Sequence, residues 1–328
     1  MISRVADQCF WFGRYVERAE STARVLFVTL NLALDADLSP RECWLPVLSV
    51  AGEQSNFEQR YGEAAASDGE AVQEYMTWTE DNFCAIGRSV ETARENARSI
   101  REVISLEAWE ETNELFLWMR SDAARVQYSD GRYDFYRHVR RATQLVLGLL
   151  RSTMLHDTPL DFIWLGVLLE RVGQTARILD VHHAATVLAK RHPVEETALW
   201  MSLLRACSGS EPFMKRNQGA VTGGAVASFL TLEPKFPRSV KYCVHSAYER
   251  LCAIRPSSAS GVASSETVAR LGALDAWLDR IKPGALDGEE VHEILTRVVD
   301  EVAEVCNGVQ REIVTGEPLP LLQRIGAQ

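Results

Sequence analysis

No run of eighteen uninterrupted apolar residues occurs in these 328 residues, so the sequence offers no candidate for a membrane-spanning helix. The opening residues, MISRVADQCF, lack the basic region followed by an apolar stretch that marks a secretory signal. Seven cysteines, at positions 9, 43, 84, 207, 243, 252 and 306, form no CxxC pair and are odd in number. That usage predicts reduced, structural thiols and a cytoplasmic setting. A net charge of −10 opposes a broad nucleic-acid surface, and no nucleic-acid or membrane partner is expected. Several catalytic signatures are also missing. No glycine-rich loop precedes a helix to cradle phosphates, and neither a nucleophile elbow nor an HExxH pair occurs. A di-metal carboxylate bundle needs two Glu-x-x-His motifs and two further glutamates. Glu289–His292 supplies one, and Asp180–His183 is only an echo of it on a helix that does not correspond. No metal and no cofactor are expected. Strand signals are scarce as well.

What the chain has in abundance is helical periodicity, and one line of it is written twice. CFWFGRYVERAESTARVLFV (9–28) and FIWLGVLLERVGQTARILDV (162–181) share nine of twenty positions at a constant offset of 153. The shared residues pair Trp11 with Trp164, Gly13 with Gly166, Glu17 with Glu170 and Arg18 with Arg171. Thr22 pairs with Thr175, Ala23 with Ala176, Arg24 with Arg177, Leu26 with Leu179 and Val28 with Val181. Similar cores explain shared apolar letters; shared Glu, Arg and Thr at fixed spacing need another reason. Weaker echoes continue at offsets of 153–156, with Trp44 opposite Trp200 and Phe57 opposite Phe213. The sequence therefore predicts a single all-α domain over 1–328, an internally duplicated multi-helix bundle with pseudo-twofold symmetry. Its halves are 1–153 and 154–328, with about six helices in each.

Helix punctuation supports this division. Phe12, Val16, Ala19, Ala23, Leu26 and Leu30 step by three and four along a first helix from Arg4 to about Leu34. Ser39–Pro40 reads as a cap with proline in the first turn, although Pro46 predicts a late start or a kink. The stretch NFCAIGRSVETARENARSIREVI predicts one long helix, and Ser105 can cap the next. YSDG breaks the chain before a helix through Arg151, and Thr158, Pro159 and Asp161 open the second half. A flexible loop is expected at Arg255–Ser265, and a proline-marked tail after Gly316.

Neighbouring helical residues point about 100° apart, so Glu17 and Arg18 cannot pair with each other. Glu17 shares a face with Gly13 and Arg24, and Arg18 with Trp11 and Thr22; the second copy repeats this with Glu170, Gly166, Arg177 and with Arg171, Trp164, Thr175. A glycine one turn before each glutamate leaves room for close approach of a backbone or ligand. Two readings follow. In one, two related helices cross-pair, with Glu17 near Arg171 or Arg177 and the reciprocal, as a structural ion network. In the other, the same residues line a polar groove for a small anionic or peptide ligand, because arginine forks match carboxylate and phosphate. A further basic run, Arg94, Arg98 and Arg101, falls on one face beside Glu91 and Glu95; it reads as a solvated, salt-bridged face or as an anion site in one half only.

ISRVADQCFWFGRYVERAESTARVL closely resembles the opening signature of the bacterial Alpha-E family, an all-helical domain named for its Glu-Arg motif. TMLHDTPLDFIWLGVLLERVGQTARILD resembles the second occurrence of that motif, and ARENARSIRE and EPKFPRSV are similar to further family segments. Where the family pattern resembles LGRYLERADMTAR, Val167 and Leu168 replace an Arg-Tyr pair and Gly173 replaces an acid. The resemblance implies an association with a circularly permuted ATP-grasp protein, and hence with amide- or peptide-bond formation. On that basis the expected function is a helical partner subunit of an ATP-grasp-type ligase, binding the ligase or presenting a peptide or amino-acid substrate. Trp11, Trp164, Arg18, Arg24, Arg171, Arg177, Arg94 and Arg98 are the candidate binding residues. One alternative is an enzyme acting on a peptide or amino-acid conjugate, with Glu17 or Glu170 as general base. The other is a purely structural scaffold.

Overall fold

A computed structural model describes residues 3–35, 38–188, 192–254, 265–286, 288 and 290–315. The expected loop at Arg255–Ser265 falls outside the described residues except for Ser265, and so do Glu289 and the tail from Gly316. Among the described residues every regular element is helical and none is a strand. The first eight helices are α1 (Ser3–Asp35), α2 (Pro40–Ala51), α3 (Gln54–Tyr61), α4 (Gly69–Trp78), α5 (Ile86–Ser99), α6 (Leu106–Met119), α7 (Asp122–Asp130) and α8 (Arg132–Thr153). Seven follow: α9 (Thr158–Leu188), α10 (Pro193–Ala206), α11 (Ser210–Arg216), α12 (Gly223–Leu232), α13 (Val240–Ile254), α14 (Glu266–Leu278) and α15 (Glu290–Gly308).

Local chemistry explains most of these boundaries. Ser39 and Glu42 form a reciprocal capping box at α2, so the helix starts at Pro40 and carries Pro46 within it, earlier than expected. Ser105 accepts from the Ala108 N–H and starts α6 as the sequence predicts. YSDG breaks the chain as expected, at Gly131, although Tyr128, Ser129 and Asp130 still belong to α7, a short extra helix capped by Ser121. Two expectations need correction. Among the described residues the two halves hold eight and seven helices rather than about six each. The long helix expected through Ile104 stops at Ser99, and Ile100 departs from helical geometry at φ −121°. Short helices of one to three turns escape a periodicity reading because they hold too few apolar steps.

Helices α1 and α9 lie at the centre. Contacting pairs advance together along both, from Gly13 with Ile163 to Arg18 with Glu170 and Glu17 with Arg171, so the two run parallel. α1 packs on α5 and α8, while α9 packs on α13 and α15. α2 also reaches α9, and α10 reaches α1. Every residue from Leu160 to Glu170 is buried, because α9 is covered on all sides rather than along one stripe. On α1 the predicted stripe of Phe12, Val16, Ala19, Ala23 and Leu26 is buried. So are Glu17, Glu20 and Arg24 beside it.

The glycines set how near the two central helices come. A Cβ added at Gly13 would stand 2.0 Å from the Ile163 carbonyl oxygen, and one at Gly166 would stand 2.1 Å from the Phe10 oxygen. Backbone meets backbone there, so no side chain fits. Ile163 lies 153 residues beyond Phe10 and Gly166 lies 153 beyond Gly13, so each glycine meets the counterpart of the residue that the other meets.

Candidate functional site: a buried glutamate–arginine network

The close approach at the glycines brings the next turn of each helix within reach of the other. Glu170 on α9 accepts from Arg14 Nε at 2.9 Å and from Arg18 Nε and Nη2 at 2.7 and 3.0 Å. Gln174 adds a bond of 3.3 Å to the same carboxylate. Glu17 on α1 accepts from Arg171 Nη2 at 2.9 Å and Arg238 Nη1 at 2.8 Å. Thus Arg18 meets Glu170 while Arg171 meets Glu17, a reciprocal exchange between the helices. Arg24 does not join Glu17. It bonds to Glu20 one turn before it, and Glu20 also accepts from Arg238 Nη2 at 2.8 Å and Gln144 Nε2 at 3.1 Å.

Backbone tethers hold the outer members in place. Thr175 donates to the Arg238 carbonyl at 2.9 Å, and Ser239 next to it accepts from the Tyr242 N–H at the start of α13. That fixes Arg238 where its fork spans Glu17 and Glu20. Thr22, the matching threonine of the first copy, donates to the Cys84 carbonyl at 3.3 Å.

Electrostatics decide what the carboxylates can do. Burial pushes Glu17 up, but Arg171 and Arg238 outweigh it and hold its carboxyl below the usual range. Glu170 is likewise raised by burial and driven well down by Arg18 and Arg14. Both are fully desolvated and ionised. On the arginine side there is an excess: Arg14, Arg18, Arg24, Arg171, Arg177 and Arg238 stand around Glu17, Glu20 and Glu170. Burial lowers Arg24, and the like charges of Arg238 and Arg140 lower it further. Arg140, Arg171 and Arg177 each keep a buried Nε–H with no acceptor. The neighbouring thiols give no counter-charge, since burial pushes Cys207 and Cys243 up to about 12.

These features coincide with a recognised helical family. A family model described as "A predicted alpha-helical domain with a conserved ER motif", Alpha-E, matches residues 1–313. The chain belongs to the Alpha-E family. It is 28% identical to the uncharacterized protein Mb2597 of Mycobacterium bovis and to the uncharacterized proteins MT2643 and Rv2567 of Mycobacterium tuberculosis. Each match covers 94% of this chain and 35% of the relative, so this Alpha-E chain spans about a third of the length of the relatives it matches. No solved structure matches it.

The remaining candidates distribute differently in this Alpha-E chain. Trp11 flanks the network, with the Arg14 guanidinium 5.0 Å from its ring centroid. Trp164 is buried beneath Arg151 at 4.8 Å. Arg94 bonds to Asn113 and Glu95 and lies over Phe116 and Trp109, while Arg98 pairs with Glu95 at the surface. Arg101 lies past the end of α5 and packs over Trp109, so the three do not share one helical face as expected. Sequence reasoning missed Arg14, Glu20 and Arg238. Arg14 and Glu20 correspond to Val167 and Gly173, so they leave no trace in the repeated letters; their spacing of four from Arg18 and Arg24 was the available signal. His292 bonds to Asp180 at 2.8 Å, and among the described residues no group of three or more His, Cys, Asp or Glu could hold a metal ion. Among the same residues no helix is long and apolar enough to cross a membrane.

Proposed function

We propose that this Alpha-E chain is a helical partner subunit of an ATP-grasp-type amide or peptide ligase, which it binds or supplies with a peptide or amino-acid substrate. The observation that carries this reading is the surplus of arginine, buried at Arg24 and part-buried elsewhere, over the buried glutamates at the crossing of α1 and α9. A buried charge needs a partner. Guanidinium forks with open donors recognise carboxylate, the group that such ligases activate and join. The resemblance to a family associated with ATP-grasp proteins supplies the choice of partner.

An enzyme with Glu17 or Glu170 as general base fits less well. Such a base works best with a pKa near the working pH, whereas arginines hold both carboxylates low and occupy their oxygens. A pure scaffold explains the cross-pairs but not the arginines left without an acceptor. The duplication belongs to the same reading: we infer two halves, 1–153 and 154–328, arisen by internal repeat and related by a pseudo-twofold axis along α1 and α9. The reciprocal glycine contacts and the exchanged Arg–Glu pairs support it. A cytoplasmic location accords with the free cysteines. Co-purification with an ATP-grasp protein, followed by ATP-turnover assays with and without this chain, tests the function directly.

A further inference from the structure

The two copies of the motif differ at one place where the difference leaves a charge open. In the first copy Glu20 stands one turn before Arg24, and its carboxylate receives Arg24, Arg238 and Gln144. The same positions 153 residues later are Gly173 and Arg177. Arg177 therefore has no carboxylate one turn behind it. Among the described residues it makes no hydrogen bond or ion pair, and its Nε–H is buried without an acceptor. Its guanidinium folds back over the glycine, where an added Cβ would meet Nη2 at 2.9 Å and Cζ at 3.6 Å. Glu170 attracts it, but Arg14, Arg18 and Gln174 already engage both of that carboxylate's oxygens. Cys84 and Cys306 are close by, and burial pushes both thiols up, so they stay neutral.

We propose that Arg177, backed by Arg14 and Arg18, is the seat of an exogenous carboxylate from an amino acid or peptide, which takes the position that the Glu20 side chain fills in the first copy. The chemistry is that of the first copy with the acid supplied from outside. A flat, singly charged head matches one guanidinium fork bidentately. The space is small: the crevice that Thr22, Cys84 and Gln174 share with apolar residues of α1, α2 and α4 measures about 10 Å³, room for roughly one water, and Arg177 is not part of its lining. Arg177 must move off Gly173 to admit the carboxylate, which suits a slim acid better than a tetrahedral dianion. This inference rests on the network being a binding site and is independent of any ligase partner.

The experiment is thermal melting of the intact chain in sodium acetate and sodium glutamate, against sodium chloride at equal ionic strength and against inorganic phosphate. The carboxylates should give a saturating rise of about 2 °C or more beyond chloride. Arg177→Met should abolish it. Gly173→Glu should abolish it too and melt above Gly173→Gln, which matches it in volume and helix propensity but lacks the charge. The proposal is overturned by any of three results: no rise beyond chloride in the parent chain, a rise that survives Arg177→Met, or a larger rise with phosphate than with acetate. A rise retained in folded Gly173→Glu overturns the placement, and should that variant not fold, Arg177→Met decides alone. Because only the isolated chain is used, failure here is distinct from failure to couple to an ATP-grasp protein.

Discussion

Glu170 accepts two arginines and a glutamine without access to water, so its neutral isostere leaves two guanidinium groups short of a counter-charge. Glu170→Gln should cost about 3–5 kcal/mol in chemical denaturation, the range for breaking a buried pair by removing one partner. The sign of its pH dependence follows from the same contacts. The folded-state pKa of Glu170 lies below its ordinary value of 4.5, so the carboxylate's contribution is complete above that pH. It is lost as pH falls below 4.5 toward the folded value. Melting temperature should therefore fall on acidification through that window, and Glu170→Gln should flatten the fall. An unchanged acid profile in the variant would assign the loss to other carboxylates. At this scale the sequence revealed six of the nine charged residues of the network. Identity between the two copies exposes Glu17, Arg18, Glu170 and Arg171, which pair across helices 152–154 residues apart. It hides Arg14, Glu20 and Arg238, because an interaction present in only one copy leaves no repeated letter, and Arg238 reaches Glu17 over 221 residues of chain.

Among the elements, α1 and α9 depend on Gly13 and Gly166 for their separation. Alanine at either position would place a methyl about 2 Å from a carbonyl oxygen of the facing helix, and backbone cannot step aside as a side chain can. Gly13→Ala and Gly166→Ala should each destabilise the chain by about 3 kcal/mol or more, and by similar amounts, since each meets the counterpart of the other's neighbour. Gly148→Ala on α8 is the control, with nothing within 4 Å of the added atom; a cost equal to the control's would refute the close approach. Some helix starts were legible from their caps, as at Ser105, whereas the start of α7 at Ser121 was not, although a side chain caps it too. Helix ends were not: α5 stops at Ser99 through a change in backbone angle with no glycine or proline to announce it. The all-α class was legible throughout, since nearly every segment carries the three-to-four periodicity.

At the scale of the whole molecule, the function proposed above has the network at the α1–α9 crossing bind rather than catalyse, and what it binds links this chain to an ATP-grasp protein. Arg18 bridges both requirements: it engages Glu170 with two donors and remains slightly solvent-exposed. Arg18→Ala should weaken coupling even where circular dichroism shows the helices intact. Catalysis by the chain alone would need a group poised to activate an acyl carbon, and the ionised, arginine-held glutamates are poor bases for that step. The most direct measurement is ATP turnover in three mixtures: the chain alone, an ATP-grasp partner with the chain, and the partner with folded Arg18→Ala chain. The expected results are no turnover in the first, an effect on the partner's rate or substrate affinity in the second, and a reduced effect in the third. Turnover by the chain alone would contradict the proposed function, and so would full coupling by every folded variant of the network's glutamates and arginines.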